Sequence, residues 1–336
     1  MLRYFILFQC FQIIICILYP LVDPNRLYDY NPPENEVTFH LYDRKNFSKN
    51  YEIFIGNSTS FEQTQFNTDE PTIIIIHGWT HGNDTPWVRE LAEVLAGTNF
   101  WNVLVVNWSK LSRVTYVEAR LHNTVVAKQV KKLMIFLAET KYYSMSSVHI
   151  VGHSMGAQIG ANAAQRIHIE IGEKIGRITG LDPAAPLYEF PHIESLDEVL
   201  DPSDASFVDA IHTNAKHIGM ITPAGHVDYY VNGGQQQWGC NTWRCSHIRA
   251  CELFIASIRK PDLFKAFSYD SWVKFNDKIT NSLEVYPMGI AASPKIPFGI
   301  YFLEVKDEYT KYVSSKTSLM DSYGSYFGEM QLLNLF

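Results

Sequence analysis

The pentapeptide Gly152-His153-Ser154-Met155-Gly156 constrains this chain more than any other feature. It stands between SSVHIV (146–151), a short β-branched run, and AQIGANAAQRI (157–167), a small-residue stretch suited to a helix packed closely on a sheet. Where a strand turns abruptly into a helix at G-x-S-x-G, the serine sits at the tip in a strained conformation. The glycines are needed because side chains there would clash with the neighbouring helix and strand. The plainer reading is an ordinary Gly-flanked β–α turn with an idle serine, and the setting argues against it.

The rest of the chain repeats the same alternation. TIIIIHG (72–78) and NVLVVNW (102–108) read as buried strands of a parallel sheet, with a helix between them at about 86–96, where Pro86 suits a first turn. A longer helix is expected over about 115–139, with Val117, Leu121, Val125 and Val126 at helical spacing. Ser146–Val151 is the next strand, Met155–Ile167 the next helix and Lys174–Leu181 a further strand. Strands and helices in this order predict an α/β fold, a mostly parallel central sheet with helices on both faces. Beyond residue 260 the pattern weakens. IYFLEV (300–305) reads as a strand, and the tail from Thr317 is unassigned.

Composition agrees. With 46% apolar and 14% aromatic residues the chain is globular rather than disordered. Its 336 residues suit two domains or one large α/β domain. A net charge of −7 and the lack of any Lys/Arg run argue against a nucleic-acid partner.

The first 22 residues, with Arg3 followed by an apolar stretch broken only by Gln9 and Gln12, read as a secretory signal. No small-x-small cleavage site is obvious, so an uncleaved anchor is the alternative. Removal of the signal takes Cys10 and Cys16 and leaves Cys240, Cys245 and Cys251. Secretion makes Asn46, Asn57 and Asn83 glycan acceptors; Asn107 fits the same pattern but ends an apolar run.

A nucleophilic serine needs a base within reach and a carboxylate to orient that base. In this kind of fold the partners follow in the order Ser, Asp/Glu, His. Asp182, in ITGLDPAAP, ends the strand after the elbow helix; Asp201, Asp204 and Asp209 are its rivals. His192, His212, His217, His226 and His247 are the candidate bases. His247 is favoured because it follows a loop and opens the segment SHIRACELFIASI.

The set IIIHGWT, VVNWS, VHIVGHSMGAQIG, GLDPAAP, DPSDASFVDAIHTNA, GHVDYYVNGG and GC–CSHIRA resembles the pancreatic-type lipase family, in family order across about residues 35–305. The resemblance implies an α/β-hydrolase fold and a triad of Ser154, Asp182 and His247. It also implies an oxyanion hole made by the backbone N–H groups of Trp79 and Met155, fixed donors in a dry site.

Three departures from the family's digestive triacylglycerol lipases shape the expected substrate. Those enzymes carry a lid of more than twenty residues between two disulfide-linked cysteines, whereas only Asn241–Arg244 lie between Cys240 and Cys245. The loop at 216–224 is short, and the chain has no room for a carboxy-terminal β-sandwich, so residues 23–336 read as one lipase domain that meets no colipase. These features resemble insect and venom phospholipases A1, in which an open polar entrance admits a phospholipid headgroup.

The Cys240–Cys245 bridge would fix the lid stub at a modest gain of about 2 kcal/mol. Cys251 reads as a buried small hydrophobe, with pairing between chains as the alternative. Asp201 and Asp204 resemble the side-chain ligands of a structural calcium in some relatives, though an Asp-capped turn explains them without metal. Trp238 and Trp243 flank the stub and would either anchor in a lipid interface or pack around the disulfide.

The expected protein is thus a secreted, monomeric phospholipase A1 that needs no cofactor for catalysis and works at a membrane or micelle surface. The alternatives are a triacylglycerol or galactolipid lipase and a catalytically silent, yolk-type lipid binder.

Overall fold

The computed structural model describes residues 34–141, 143–189, 199–269, 274–275, 277 and 284–313. The signal-like segment, His192 and the tail from Thr317 lie outside them. In chain order the elements are β1 (Thr38–Tyr42), β2 (Asn50–Ile53), α1 (Thr59–Glu62), β3 (Thr72–Ile76), α2 (Pro86–Gly97), β4 (Asn102–Asn107), α3 (Ser109–Ser112) and α4 (Tyr116–Lys141). They continue with β5 (Val148–His153), α5 (Met155–Ile171), β6 (Ile175–Leu181), β7 (Ala205–His212), β8 (Val227–Val231), α6 (Trp243–Arg259), β9 (Lys265–Ser268), β10 (Val285–Pro287) and β11 (Gly299–Leu303).

Among the described residues, eleven strands form one sheet in the order β10-β9-β11-β8-β7-β6-β5-β3-β4-β1-β2. The run from β4 to β11 is parallel, and antiparallel strands close both edges. The isoleucine run shows why both faces carry helices. Side chains alternate along a strand, so Ile74 and Ile76 join the core under α4 and α5 while Ile73 and Ile75 join the core under α2 and α6. None of the four isoleucines is exposed.

The expected elements form, with local differences. α4 buries Ala119, Val126, Ala127, Val130, Leu133 and Leu137, whereas Val117 and Leu121 are only half-buried. The stripe is displaced because this helix also buries polar His122, Asn123 and Gln129. His122 is held at Nδ1 by the Leu111 carbonyl. β5 begins at Val148 because Met145–Ser147 make a 3-10 turn capped by Ser144, and it runs on to His153, inside the pentapeptide. α5 continues to Ile171 and ends where Gly172 takes a left-handed conformation, φ +74°. β11 stops at Leu303 because Val305 donates its N–H to Asn232 Oδ1 and accepts Asn232 Nδ2–H at its carbonyl instead of joining a ladder.

β3 pairs with β4 on one side and β5 on the other, so successive connections leave in opposite directions at this point. The carboxyl ends of β3 and β5 therefore open onto the crevice where α/β sheets bind ligands. The elbow is packed main chain to main chain there. A Cβ on Gly156 would lie 2.1 Å from the Ile76 carbonyl oxygen, and one on Gly152 would lie 2.4 Å from the Gly156 oxygen. Neither neighbour is a side chain that can swing away. Gly156→Ala is therefore expected to lower stability by about 3 kcal/mol or more. Urea unfolding followed by circular dichroism checks this, and an unchanged midpoint would contradict the packing described.

Candidate active site

Ser154 sits between β5 and α5 at φ +56°, ψ −122°, a conformation that few non-glycine residues adopt. Its N–H donates to the Leu181 carbonyl at 3.0 Å, which ties the elbow to the end of β6. The residue after Leu181 is Asp182, also at positive φ, +45°.

Asp182 is fully buried. Its Oδ1 accepts the N–H groups of Thr213 and Asn214 at 2.8 and 2.9 Å, and its Oδ2 accepts His247 Nδ1–H at 2.5 Å. The carboxylate can only accept, so Nδ1 carries the proton and Nε2 is left as the basic nitrogen. Gly219 allows the loop to wrap this closely, since a Cβ there would lie 2.5 Å from Asp182 Oδ1. His247 lies in the first turns of α6, begun by Thr242, whose hydroxyl accepts the Cys245 N–H. Among the described residues no hydrogen bond joins the Ser154 hydroxyl to His247, a looseness common before substrate binds.

Three further histidines surround these groups, none of them singled out from the sequence. His153 Nε2–H donates to the His247 carbonyl at 3.2 Å, and the two rings lie 4.4 Å apart. His81 stacks on His153 at 5.6 Å and accepts from Trp87 Nε1 at Nδ1. His77 donates Nδ1–H to the Gly78 carbonyl and accepts the Trp108 N–H at Nε2, with its ring stacked on Trp108. Burial pushes His77 down to about 4. Burial, then neighbouring positive groups, holds His81 and His153 far below the usual range. Their signal in the sequence is their place within the HG and GHSMG motifs.

The His77–Trp108 clamp sets the turn that carries Trp79. Trp79's indole is spent on packing, donating to the Val114 carbonyl at 2.8 Å and meeting Tyr116 edge-on. Its backbone N–H and that of Met155, the first residue of α5, take no partner among the described residues. The sulfurs of Cys240 and Cys245 are bonded, and Cys251 is free and buried. Arg249 clamps this stub, donating to the Trp238 carbonyl and Cys240 Sγ, and pairing with Glu252, which also accepts from Tyr309. Trp238 is 56% exposed and Trp243 half-buried.

The family profile described as Lipase matches residues 19–293, and the chain is 35% identical over 279 residues to the pancreatic triacylglycerol lipase of Cavia porcellus. The chain belongs to the pancreatic-type lipase family. That alignment covers 75% of this chain and 58% of the relative. Pancreatic lipase-related protein 2 of Homo sapiens is 30% identical over 300 residues, covering 81% of this chain and 61% of that protein. The chain thus spans less than two thirds of the length of these lipases. Among solved structures, Est1E of Butyrivibrio proteoclasticus with bound ferulic acid is similar at TM-score 0.34 and 12% identity, over 55% of this chain and 78% of that one.

In this lipase-family chain the rival carboxylates and histidines are occupied elsewhere. Asp209 forms a two-pronged pair with Arg177. Asp201 and Asp204 cap one turn reciprocally, and Gln165 donates to Asp204. Their oxygens serve the Asp-capped turn. His226 accepts the Val208 N–H, and His217 is exposed. Of the sequons, Asn46 and Asn57 are exposed and Asn83 is half-buried. Asn107 is bonded both to Thr38 and to the Ser109 N–H.

His212 forms a second His–Asp pair. Both ring nitrogens face acceptors, Asp228 Oδ1 at 2.8 Å and the Met220 carbonyl at 3.1 Å, so both carry protons. Asp228 also accepts the N–H groups of Ala224 and Gly225, so the pair ties the 213–226 loop to β7 and β8. Burial alone would lower His212. The bond and charge of Asp228, the charge of Asp182 and the Met220 carbonyl outweigh it and leave the ring above its ordinary 6.5. A raised value means that the stabilisation is complete below pH 6.5 and is lost as pH rises through the folded value. Urea midpoints are expected to fall on the alkaline side in the wild type and to fall less in Asp228→Asn. Equal slopes in both proteins would assign the effect to other groups.

Proposed function

We propose that this chain is a secreted serine esterase that cleaves the sn-1 acyl ester of phospholipids, releasing lysophospholipid and fatty acid. The observation that carries the esterase chemistry is the 2.5 Å bond from buried Asp182 to His247 Nδ1, beside a strained Ser154. His247 Nε2 takes the Ser154 proton as Oγ attacks the acyl carbon, and the N–H groups of Trp79 and Met155 hold the oxyanion. Collapse of the intermediate breaks the bond to the glycerol oxygen, which leaves with the proton from His247. Water, deprotonated by His247, then releases the fatty acid and restores Ser154. Asp182 holds the imidazole's tautomer and supports its positive charge during both halves.

The four-residue stub supports phospholipid as the substrate. Too short to cover a crevice, it leaves room at the mouth for a bulky polar headgroup. The hydrophobic amino terminus supports secretion, and exposed Trp238 supports contact with a lipid surface. Triacylglycerol hydrolysis is the second reading, favoured by the name of the 35% identical relative.

Phosphatidylcholine labelled separately at its two acyl positions separates these readings. The expected result is fatty acid released from sn-1 and abolished in Ser154→Ala. Turnover of triolein with phosphatidylcholine left intact would overturn the phospholipase reading, and turnover of neither would favour a silent lipid binder. Asp182→Asn, which misplaces the ring proton, is expected to lower kcat by about 10⁴-fold. A loss of less than tenfold would remove Asp182 from the mechanism.

A further inference from the structure

Arg244 occupies the first turn of α6, inside the loop closed by Cys240 and Cys245 and three residues ahead of His247. Side chains at that spacing share one face of a helix. Its guanidinium lies 5.4 Å over the Trp243 ring. Among the described residues it makes no hydrogen bond and no ion pair. The contrast with other arginines is direct: Arg44, Arg113, Arg177, Arg249 and Arg259 each hold a carboxylate. Arg244 is half-buried, and burial disfavours its charged form with no nearby acid to offset the cost. Its field reaches the catalytic crevice, since it is among the charges acting on His81, which stacks on His153 beside His247.

We propose that Arg244 anchors the phosphodiester of a phospholipid whose sn-1 ester lies against Ser154. This rests on the phospholipase reading above and deepens it. A guanidinium presents paired N–H donors that match two phosphate oxygens. The first turn of α6 adds positive potential of the same sign. The glycerol carbons alone separate the phosphate from the sn-1 ester, so one lipid molecule can meet both groups. Diacylglycerol, the same lipid without the phosphate, offers the guanidinium no such partner.

The test compares sn-1 release from dioleoylphosphatidylcholine and dioleoylglycerol, each dispersed in the same non-ionic detergent micelle, by the full chain and by Arg244→Gln and Arg244→Lys. The expected result is a phospholipid-to-diacylglycerol ratio of kcat/KM that falls about tenfold or more in Arg244→Gln, with Arg244→Lys between it and the wild type. Wild-type cleavage of phosphatidylcholine with a ratio unchanged in both variants overturns the anchor and leaves the phospholipase reading standing. Wild type that cleaves only dioleoylglycerol overturns both. Loss of the wild-type ratio in millimolar inorganic phosphate would make free anion the occupant and overturn the headgroup assignment; an unchanged ratio supports the lipid headgroup. Should Arg244→Gln not fold, Arg244→Lys decides, and a wild-type ratio in it counts against paired-donor recognition.

Discussion

The main-chain contact between the start of α5 and the end of β3 is the constraint on which the rest of this structure depends. A hydrogen atom in place of a side chain at Gly156 lets the helix lie against the Ile76 carbonyl, and the same economy at Gly152 lets the turn fold back on itself. Ser154 can then be held at positive φ by its neighbours rather than by its own preference. The contact also aims the amino end of α5, with its unspent N–H groups, at the same crevice as the serine. The serine and a candidate oxyanion donor thus come from one piece of packing, as does the closeness of the HG turn after β3.

Around that point the interior is arranged so that only a few charges persist. His77, His81 and His153 are neutral because burial makes a second proton expensive, and each is fixed in place by hydrogen bonds or ring contacts. The buried carboxylate of Asp182 is tolerated because two backbone N–H groups and the His247 ring satisfy it. The loop that supplies those N–H groups is tied down by the second buried pair, His212 with Asp228. The two His–Asp pairs therefore differ: in one only Nδ1 of the ring is engaged by the carboxylate, and in the other both ring nitrogens are used to hold the loop around Asp182.

The stub between Cys240 and Cys245 is held as firmly as the loop. The disulfide closes it, and Arg249, on the α6 helix that also carries His247, donates to the Cys240 sulfur and to the Trp238 carbonyl just ahead of it. A segment so anchored presents its side chains at fixed positions relative to the base. The proposed headgroup contact of Arg244 relies on that fixed placement.

Much of this architecture was legible along the chain because its signals are local. The isoleucine run suited a strand buried on both faces, G-H-S-M-G between a strand-like and a helix-like segment suited a tight elbow, and Asp182 and His247 stood near element ends in the required order among several rivals. The buried stripe of α4 was misplaced by reading Val117 and Leu121, since hydrophobicity says nothing of polar residues that a helix buries with partners elsewhere. His153, His81 and His77 escaped notice for the same reason: their roles come from contacts between β3, β5, α2 and α6, which are far apart in sequence. The sequence by itself determined the fold class and the elbow, because backbone sterics and strand–helix periodicity act over a few residues, and it offered the triad of Ser154, Asp182 and His247 through the family resemblance. Only the tertiary structure decided which histidine meets Asp182, which carboxylates are spent on turns and ion pairs, and which arginine is left without an acid, because hydrogen bonds and desolvation depend on what distant segments bring to one place.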